Sequence, residues 1–363
     1  MEKKLKKKRI IGIDVARALA VIGMIIVNFK IVLGENGEGW VKAFAEVFNG
    51  KAAATFVVLA GVGLALMTNS AVKDQNLEKL RVARKRILKR ALFLFVVGLS
   101  YYWIWPADIL HFYGVYMLIT LALLSRSPKQ LLGIALAFIA FFPVLIMLID
   151  YETGWIMETY TYTDFWTPEG FFRNLFFNGF HPVIPWVAFM LVGLWFGRQN
   201  LYDNQFVKKA GLISFGAFLL IQLISVGSLQ LLSGGDAATL EELNPLIGTS
   251  PMPPMPLYML NGITIAIAII SACILLARAY EGNRLIGTLN KTGQLALTFY
   301  VAHVILGMGI LEDLSSVEYG AYSIEFSVGY ALLFSLFCML FAEIWLRYKK
   351  AGPLEWVMRK LTD

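Results

Sequence analysis

Several polar residues in this chain sit where apolar surroundings demand a reason for them. Within IIGIDVARALAVIGMIIVNFKIVL, Asp14 and Arg17 stand three residues apart, and Asn28 follows eleven residues later. An ionisable side chain in a membrane span is costly unless it is paired or lines a watery cavity, so it marks a functional site by default. At this spacing the carboxylate and guanidinium share a helix face and neutralise each other, and Asn28 lies three turns further along that face. In PADILHFYG, Asp108 precedes His111 by three residues. On a helix this lets a carboxylate orient an imidazole and raise its basicity, the pairing of general-base catalysis. The same spacing also suits a polar helix cap at an interface, with Asp108 favouring the positive end of the helix. His303, in LTFYVAHVILG, lies deep in an apolar segment and needs either a partner in the bundle or a water-filled cavity. His181 begins HPVIPW and reads as a capping or interfacial residue.

The segment LEKLRVARKRILKR carries Arg84, Lys85, Arg86 and Arg90 among its basic residues. One reading is a topology determinant facing lipid headgroups. The other joins these residues to Arg17 as a seat for the phosphates of a cytoplasmic nucleotide cofactor. No phosphate-cradling glycine loop, HExxH or G-x-S-x-G motif is present, and the sequence suggests no metal. Cys273 and Cys338 have no CxxC partner, which argues against a disulfide and a thiolate metal site. Glu343 is expected to pair with Arg347 at i,i+4. Gly61, Gly63, Gly193 and Gly197 are expected to permit close helix approach.

The elements that must hold these groups are membrane helices. Apolar residues make up 58% of the chain, charged residues 16%, and the mean hydropathy is +0.65. Apolar runs long enough to cross a bilayer recur from end to end. The chain therefore reads as an all-α, polytopic helical membrane protein forming a single domain over residues 1–363. About ten transmembrane helices are expected, near 10–33, 52–69, 88–105, 109–125, 131–150, 182–198, 210–233, 256–278, 293–311 and 324–346. With both termini cytoplasmic, every Lys and Arg of the 32 falls on the inner side except Arg17, Lys30, Lys42, Lys51 and Arg173. The net charge of +7 is thus a topology signal, not a nucleic-acid footprint. The first span is too long and too charged for a cleavable signal and is expected to stay.

The outer loop 151–180 is rich in aromatics, and its second half, TPEGFFRNLFFNGF, reads as a short interfacial helix capped by Thr167. Its aromatics suit either an interfacial belt or a lid over an outward-facing site. The outer loop from about Ser233 to Pro256 contains SPMPPMP and is expected to be non-helical.

Five segments taken together resemble a known family: IDVARALAVIGMIIVN, NGKAAATFVVLAGVGLAL, DILHFYGVYML, HPVIPWVAFMLVGLWFGR and LTFYVAHVILG. In order and register they look like the bacterial YeiB-like membrane proteins. These are related to heparan-α-glucosaminide N-acetyltransferase within the transmembrane acyltransferase superfamily. The resemblance implies an enzyme that takes acetyl-CoA or another acyl-CoA from the cytoplasm. It would pass the acyl group to an amine or hydroxyl of a small-molecule or glycan acceptor outside the cell membrane, with no metal. Arg17 and Asn28 fall where the family's first-span Arg and Asn stand. In the heparan enzyme a catalytic histidine follows that Asn shortly, whereas residues 29–51 here contain none.

Joined to the residues, the resemblance implies His111, oriented by Asp108, as general base, with His303 as the alternative. Asn28 would hold the developing oxyanion, and Arg17 with Arg84, Lys85, Arg86 and Arg90 would bind CoA phosphates. Two other classes stay open: a proton-coupled small-molecule carrier, and an acyltransferase-fold scaffold without activity. Expected partners are the bilayer, acyl-CoA and the acceptor, and no nucleic acid. A homodimer fits such a chain.

Overall fold

The first apolar stretch forms one unbroken helix, α1 (Ile11–Leu33), in the computed structural model, which describes residues 9–157, 159–309 and 320–363. It is buried along most of its length. Around it pack α3 (Lys51–Lys73), α11 (Pro256–Ala279), α12 (Arg284–Gln294) and α14 (Ile324–Tyr348). A short helix, α2 (Trp40–Glu46), leads into α3. Next come α4 (Leu77–Ser100), α5 (Leu110–Leu123), α6 (Pro128–Leu148), α7 (Pro168–Arg173) and α8 (Val183–Gly197). The remaining elements are α9 (Asn204–Ser233), α10 (Ala237–Ile247), α13 (Ala296–Ala302) and α15 (Pro353–Thr362).

The tightest seam runs between α3 and α8 and depends on missing side chains. A Cβ at Gly61 would lie 2.1 Å from the Met190 carbonyl oxygen, and one at Gly193 would lie 2.0 Å from that of Val58. Small residues let the backbones touch where no hydrophobic drive exists between helices in lipid. Gly63 serves a different purpose from the one expected. A Cβ there would lie 3.2 Å from an Arg17 guanidinium nitrogen, so the gap accommodates a charged group and not a helix.

The apolar segments expected to span fall largely on helix, although α4 ends at Ser100, short of 105, and residues 310–311 of the ninth expected span lie outside the described residues. Six helical segments among the described residues are long and apolar enough to cross a membrane, and α7 with α8, bent by 48° at their junction, makes a seventh. Three boundaries depart from expectation. Helix α4 begins well before residue 88, because the Asn76 side chain accepts from Lys79 N at 2.9 Å and caps a run of good helix formers. The segment 293–311 is not one helix: α12 stops at Gln294, Leu295 breaks the path, and α13 widens into a π-helical turn over His303–Met308. Part of the proline-rich outer loop is helical after all. Asp236 caps α10 by accepting from Thr239 N at 2.7 Å, leaving 248–255 as the non-helical stretch.

The outer loop after α6 is only half as expected. Thr167 does cap α7, accepting from Gly170 N at 3.0 Å. The first half is a small hairpin, β1 (Trp155–Ile156) against antiparallel β2 (Thr161–Tyr162). Asn178, fully buried, fastens it: Nδ2 donates to the carbonyls of Tyr151 and Thr153 at 2.8 Å each, and Oδ1 accepts from Tyr162 at 2.8 Å. The Trp155 indole donates to the Asn178 carbonyl at 2.7 Å. Arg173 adds a two-pronged bond to Asp164 at 2.6 and 2.7 Å and a third to the Tyr162 hydroxyl.

Candidate active site

The hairpin, the start of α8 and the end of α1 together wall a cavity of about 1280 Å³. Its lining includes Asn28 and Tyr300 of the helical bundle and Tyr160, Trp166 and Phe180 of the 151–180 loop. The aromatics of this loop therefore line the cavity. The Tyr102 and Phe165 rings stack 3.7 Å apart, and Trp103 stacks on Trp166 at 4.8 Å, so the wall is ordered by ring packing. Burial in this wall pushes the Tyr162 hydroxyl above the usual phenol range, even with Arg173 beside it.

Asn28 of that lining meets His303, with Asn28 Nδ2 2.9 Å from His303 Nε2. His303 Nδ1 bonds the main-chain carbonyl of Tyr300, which can only accept, so Nδ1 carries the proton and Nε2 presents a lone pair. One N–H of the Asn28 amide fills that lone pair, and the second remains for another acceptor. The histidine stands at the first position of the π-helical turn, and Tyr330 donates to the Gly307 carbonyl within it at 2.8 Å. Such one-turn bulges recur at functional sites because they re-aim a side chain without ending the helix.

His111 and Asp108 also meet, as expected, with Nδ1 3.2 Å from Oδ2. Both are fully buried, and neither lines the cavity. Asp108 is crowded with donors: Tyr101 at 2.5 Å and Tyr300 at 3.2 Å on Oδ1, Leu110 N at 2.8 Å and His111 N at 3.2 Å on Oδ2. His111 Nε2 is buried and faces no hydrogen-bond partner. This arrangement suits a carboxylate that stitches the start of α5 to α4 and α13. Tyr300 connects the two histidine pairs, its hydroxyl on Asp108 and its carbonyl on His303.

On the opposite side of the bundle the Asp14–Arg17 pair forms as the spacing predicts, at 2.7 Å, and Arg9 adds a second bond to Asp14 at 2.7 Å. Arg17 is partly exposed beside Gly63 and does not line the outer cavity. Phe56 packs against the rings of both Tyr113 and Tyr300, at 5.8 and 6.1 Å. The basic cluster is largely engaged. Arg86 and Arg90 each pair with Asp363 at 2.9 Å, and Arg84 donates to the Ser125 hydroxyl at 3.1 Å. Lys85 is exposed.

The expected Glu343–Arg347 pairing is replaced by Lys291 of α12 at 2.6 Å, with Thr288 donating at 2.7 Å. Nearby, Glu355 of α15 accepts from Thr298 N at 3.0 Å and from the Thr298 hydroxyl at 2.5 Å, and burial raises its carboxyl above the usual range. Both cysteines are free, and no three His, Cys, Asp or Glu side chains converge among the described residues.

Comparison with known proteins places the chain. Residues 9–232, well over half of it, match the family described as heparan-alpha-glucosaminide N-acetyltransferase, catalytic. Residues 195–363 match a family described as a protein of unknown function (DUF418). An uncharacterized 39.9 kDa protein in the amylase 3' region of Bacillus acidopullulyticus is 30% identical over 92 residues, spanning 24% of this chain and 25% of that protein. Asn28, Asp108 and His111 lie in the first match, while Tyr300 and His303 lie in the second, so the 2.9 Å contact closes one site across both. The chain is a multi-pass membrane protein and belongs to the heparan-α-glucosaminide N-acetyltransferase catalytic family, with the YeiB-like proteins.

Proposed function

We propose that this protein is a membrane acyltransferase that moves an acyl group, acetyl in the first instance, from cytoplasmic acyl-CoA to an amine or hydroxyl on the far side of the cell membrane. The observation that carries this reading is the contact of His303 with Asn28, a residue of the aromatic-walled cavity's lining. As the acceptor enters, the Asn28 amide turns off His303 Nε2, and the freed lone pair takes the proton from the acceptor as its nitrogen or oxygen attacks the thioester carbonyl. The free N–H of Asn28 donates to the oxyanion that forms. Collapse breaks the carbon–sulfur bond, and the proton passes from His303 to the departing sulfur, giving free CoA and the acylated acceptor. His303 thus takes the role that spacing alone suggested for His111, because its Nε2 meets Asn28, which lines the cavity and can donate to an oxyanion, whereas His111 Nε2 has no such donor beside it among the described residues.

On the donor side Arg17, partly exposed beside Gly63, is suited to a CoA phosphate, with Arg84 and Lys85 nearer the aqueous surface. Arg86 and Arg90 contribute only if Asp363 releases them. Eleven residues of α1 separate Arg17 from Asn28, about 16 Å along the axis, which the thiol arm of the donor has to cover. The ten-span topology with both termini cytoplasmic puts Arg17 on the donor side and the aromatic cavity on the acceptor side.

The test uses protein reconstituted in vesicles with radiolabelled acetyl-CoA. His303→Ala should abolish acetyl transfer while CoA still raises the melting temperature of the variant. Wild-type turnover in His303→Ala would overturn the assignment, and no stabilisation of the wild type by CoA or any CoA ester would overturn the enzyme reading.

A further inference from the structure

Among the described residues the outer cavity is lined by two side chains carrying full charge at neutral pH, Lys30 and Glu35. Lys30 projects from α1 two residues beyond Asn28, and its side chain is only 6% exposed. Its Nζ lies 3.0 Å from Glu35 Oε2, whereas the Glu35 side chain is 57% exposed, on the loop past the end of α1. The two partners are therefore unequal. A desolvated ammonium must keep a counter-charge, because leaving it unpaired is strongly unfavourable. A carboxylate that is mostly in solvent can leave with little penalty.

The main chain at Glu35 need not move for this. Its neighbour Asn36 is held by Ile324 N donating to its carbonyl at 2.9 Å and by its own amide donating to Gly320 O at 3.0 Å. Only the Glu35 side chain has to swing out. An anionic group arriving in the cavity can then take over Lys30 with no loss of ion pairing, which a neutral group cannot do. The size and aromatic walls of the cavity suit an anion that is part of an organic molecule.

We propose that Lys30 is an anion subsite of this cavity, that the acceptor carries a phosphate or carboxylate bound by Lys30, and that Glu35 holds the place in its absence. This rests on reading the cavity as the acceptor's site.

The experiment compares glucosamine with glucosamine 6-phosphate, following binding by tryptophan fluorescence of the detergent-solubilised full chain and transfer by labelled acetyl-CoA. The wild type should bind the phosphate about ten- to a hundredfold more tightly, the range of a charge-assisted bond. Lys30→Gln should erase that preference and Lys30→Arg should keep it. Glu35→Gln should tighten phosphate binding, a gain that a purely structural ion pair would not give. If the preference appears with phosphatidylglycerol vesicles and not with the sugar phosphate, and still depends on Lys30, the anion is a lipid headgroup and the subsite stands. The proposal is overturned if neither anion distinguishes wild type from Lys30→Gln, or if Glu35→Gln weakens phosphate binding. Lys30-dependent binding in a protein that no CoA ester stabilises would sustain the subsite and refute the acyltransferase reading.

Discussion

Asn28 Nδ2 and His303 Nε2 lie 2.9 Å apart although 275 residues separate them in the chain. The amide is the only group seen to engage that imidazole nitrogen among the described contacts, so it sets how the lone pair is held. Asn28→Ala removes both the clamp and the oxyanion donor. Turnover with acetyl-CoA should fall about 100- to 1000-fold, the range for losing one such donor. The melting temperature should stay within a few degrees of wild type, and retained turnover would count against the site.

The second histidine pair should behave differently. Asp108→Ala leaves two tyrosine hydroxyls, two main-chain N–H groups and His111 without their acceptor in a fully buried place. A loss of about 3 to 5 kcal/mol of stability is expected, read from thermal unfolding in detergent. His111→Ala should lower stability while sparing most of the turnover per folded molecule. A dead but fully stable His111→Ala would return the general-base role to this residue.

Asn178 governs the outer wall. Asn178→Leu takes the donor from the Tyr151 and Thr153 carbonyls and leaves the Tyr162 hydroxyl with Arg173 alone, at a cost of about 1 to 3 kcal/mol for a group that stays buried. Limited proteolysis of the solubilised protein should cut between residues 151 and 163 much faster than in wild type. Equal cutting rates would show that the hairpin is held by its ring packing alone.

Glu355 gives a pH signature. Its folded pKa is raised above 4.5, chiefly by burial, so the folded state binds the proton more tightly than the unfolded chain does. The stability linked to that proton is complete below about 4.5 and is lost as pH rises through the higher folded value. Melting temperature should therefore decline across that interval, and Glu355→Gln should flatten the decline. An unchanged slope in the variant would assign the effect elsewhere.

The local features of this architecture were legible in the residues themselves. Hydropathy located the helices, i,i+3 spacing gave Asp14–Arg17 and Asp108–His111, and Thr167 marked the start of α7. What could not be read was set by contacts distant in sequence. Glu343 has Arg347 one turn away, yet bonds Lys291 of α12, because that helix crosses beneath it. Arg86 and Arg90 look like a free basic surface until α15 brings Asp363 against them. Asn28 and His303 share no spacing, and the π-helical turn that aims the imidazole has no residue signature. The hairpin in the outer loop was hidden for a similar reason. Its two-residue strands are too short for any alternation, and a buried asparagine on a later element holds them.

The bond from His303 Nδ1 to the Tyr300 carbonyl has a lasting implication for how this site can vary. The tautomer is dictated by a peptide oxygen, and a peptide oxygen is the same whatever amino acid occupies position 300. Substituting Tyr300 can sever the link to Asp108 and reshape the wall, but it cannot rewrite which ring nitrogen is basic. Evolution or engineering can thus remodel the ligands accepted around this imidazole while its proton inventory stays constant, and only a shift in the winding of the helix itself would change it.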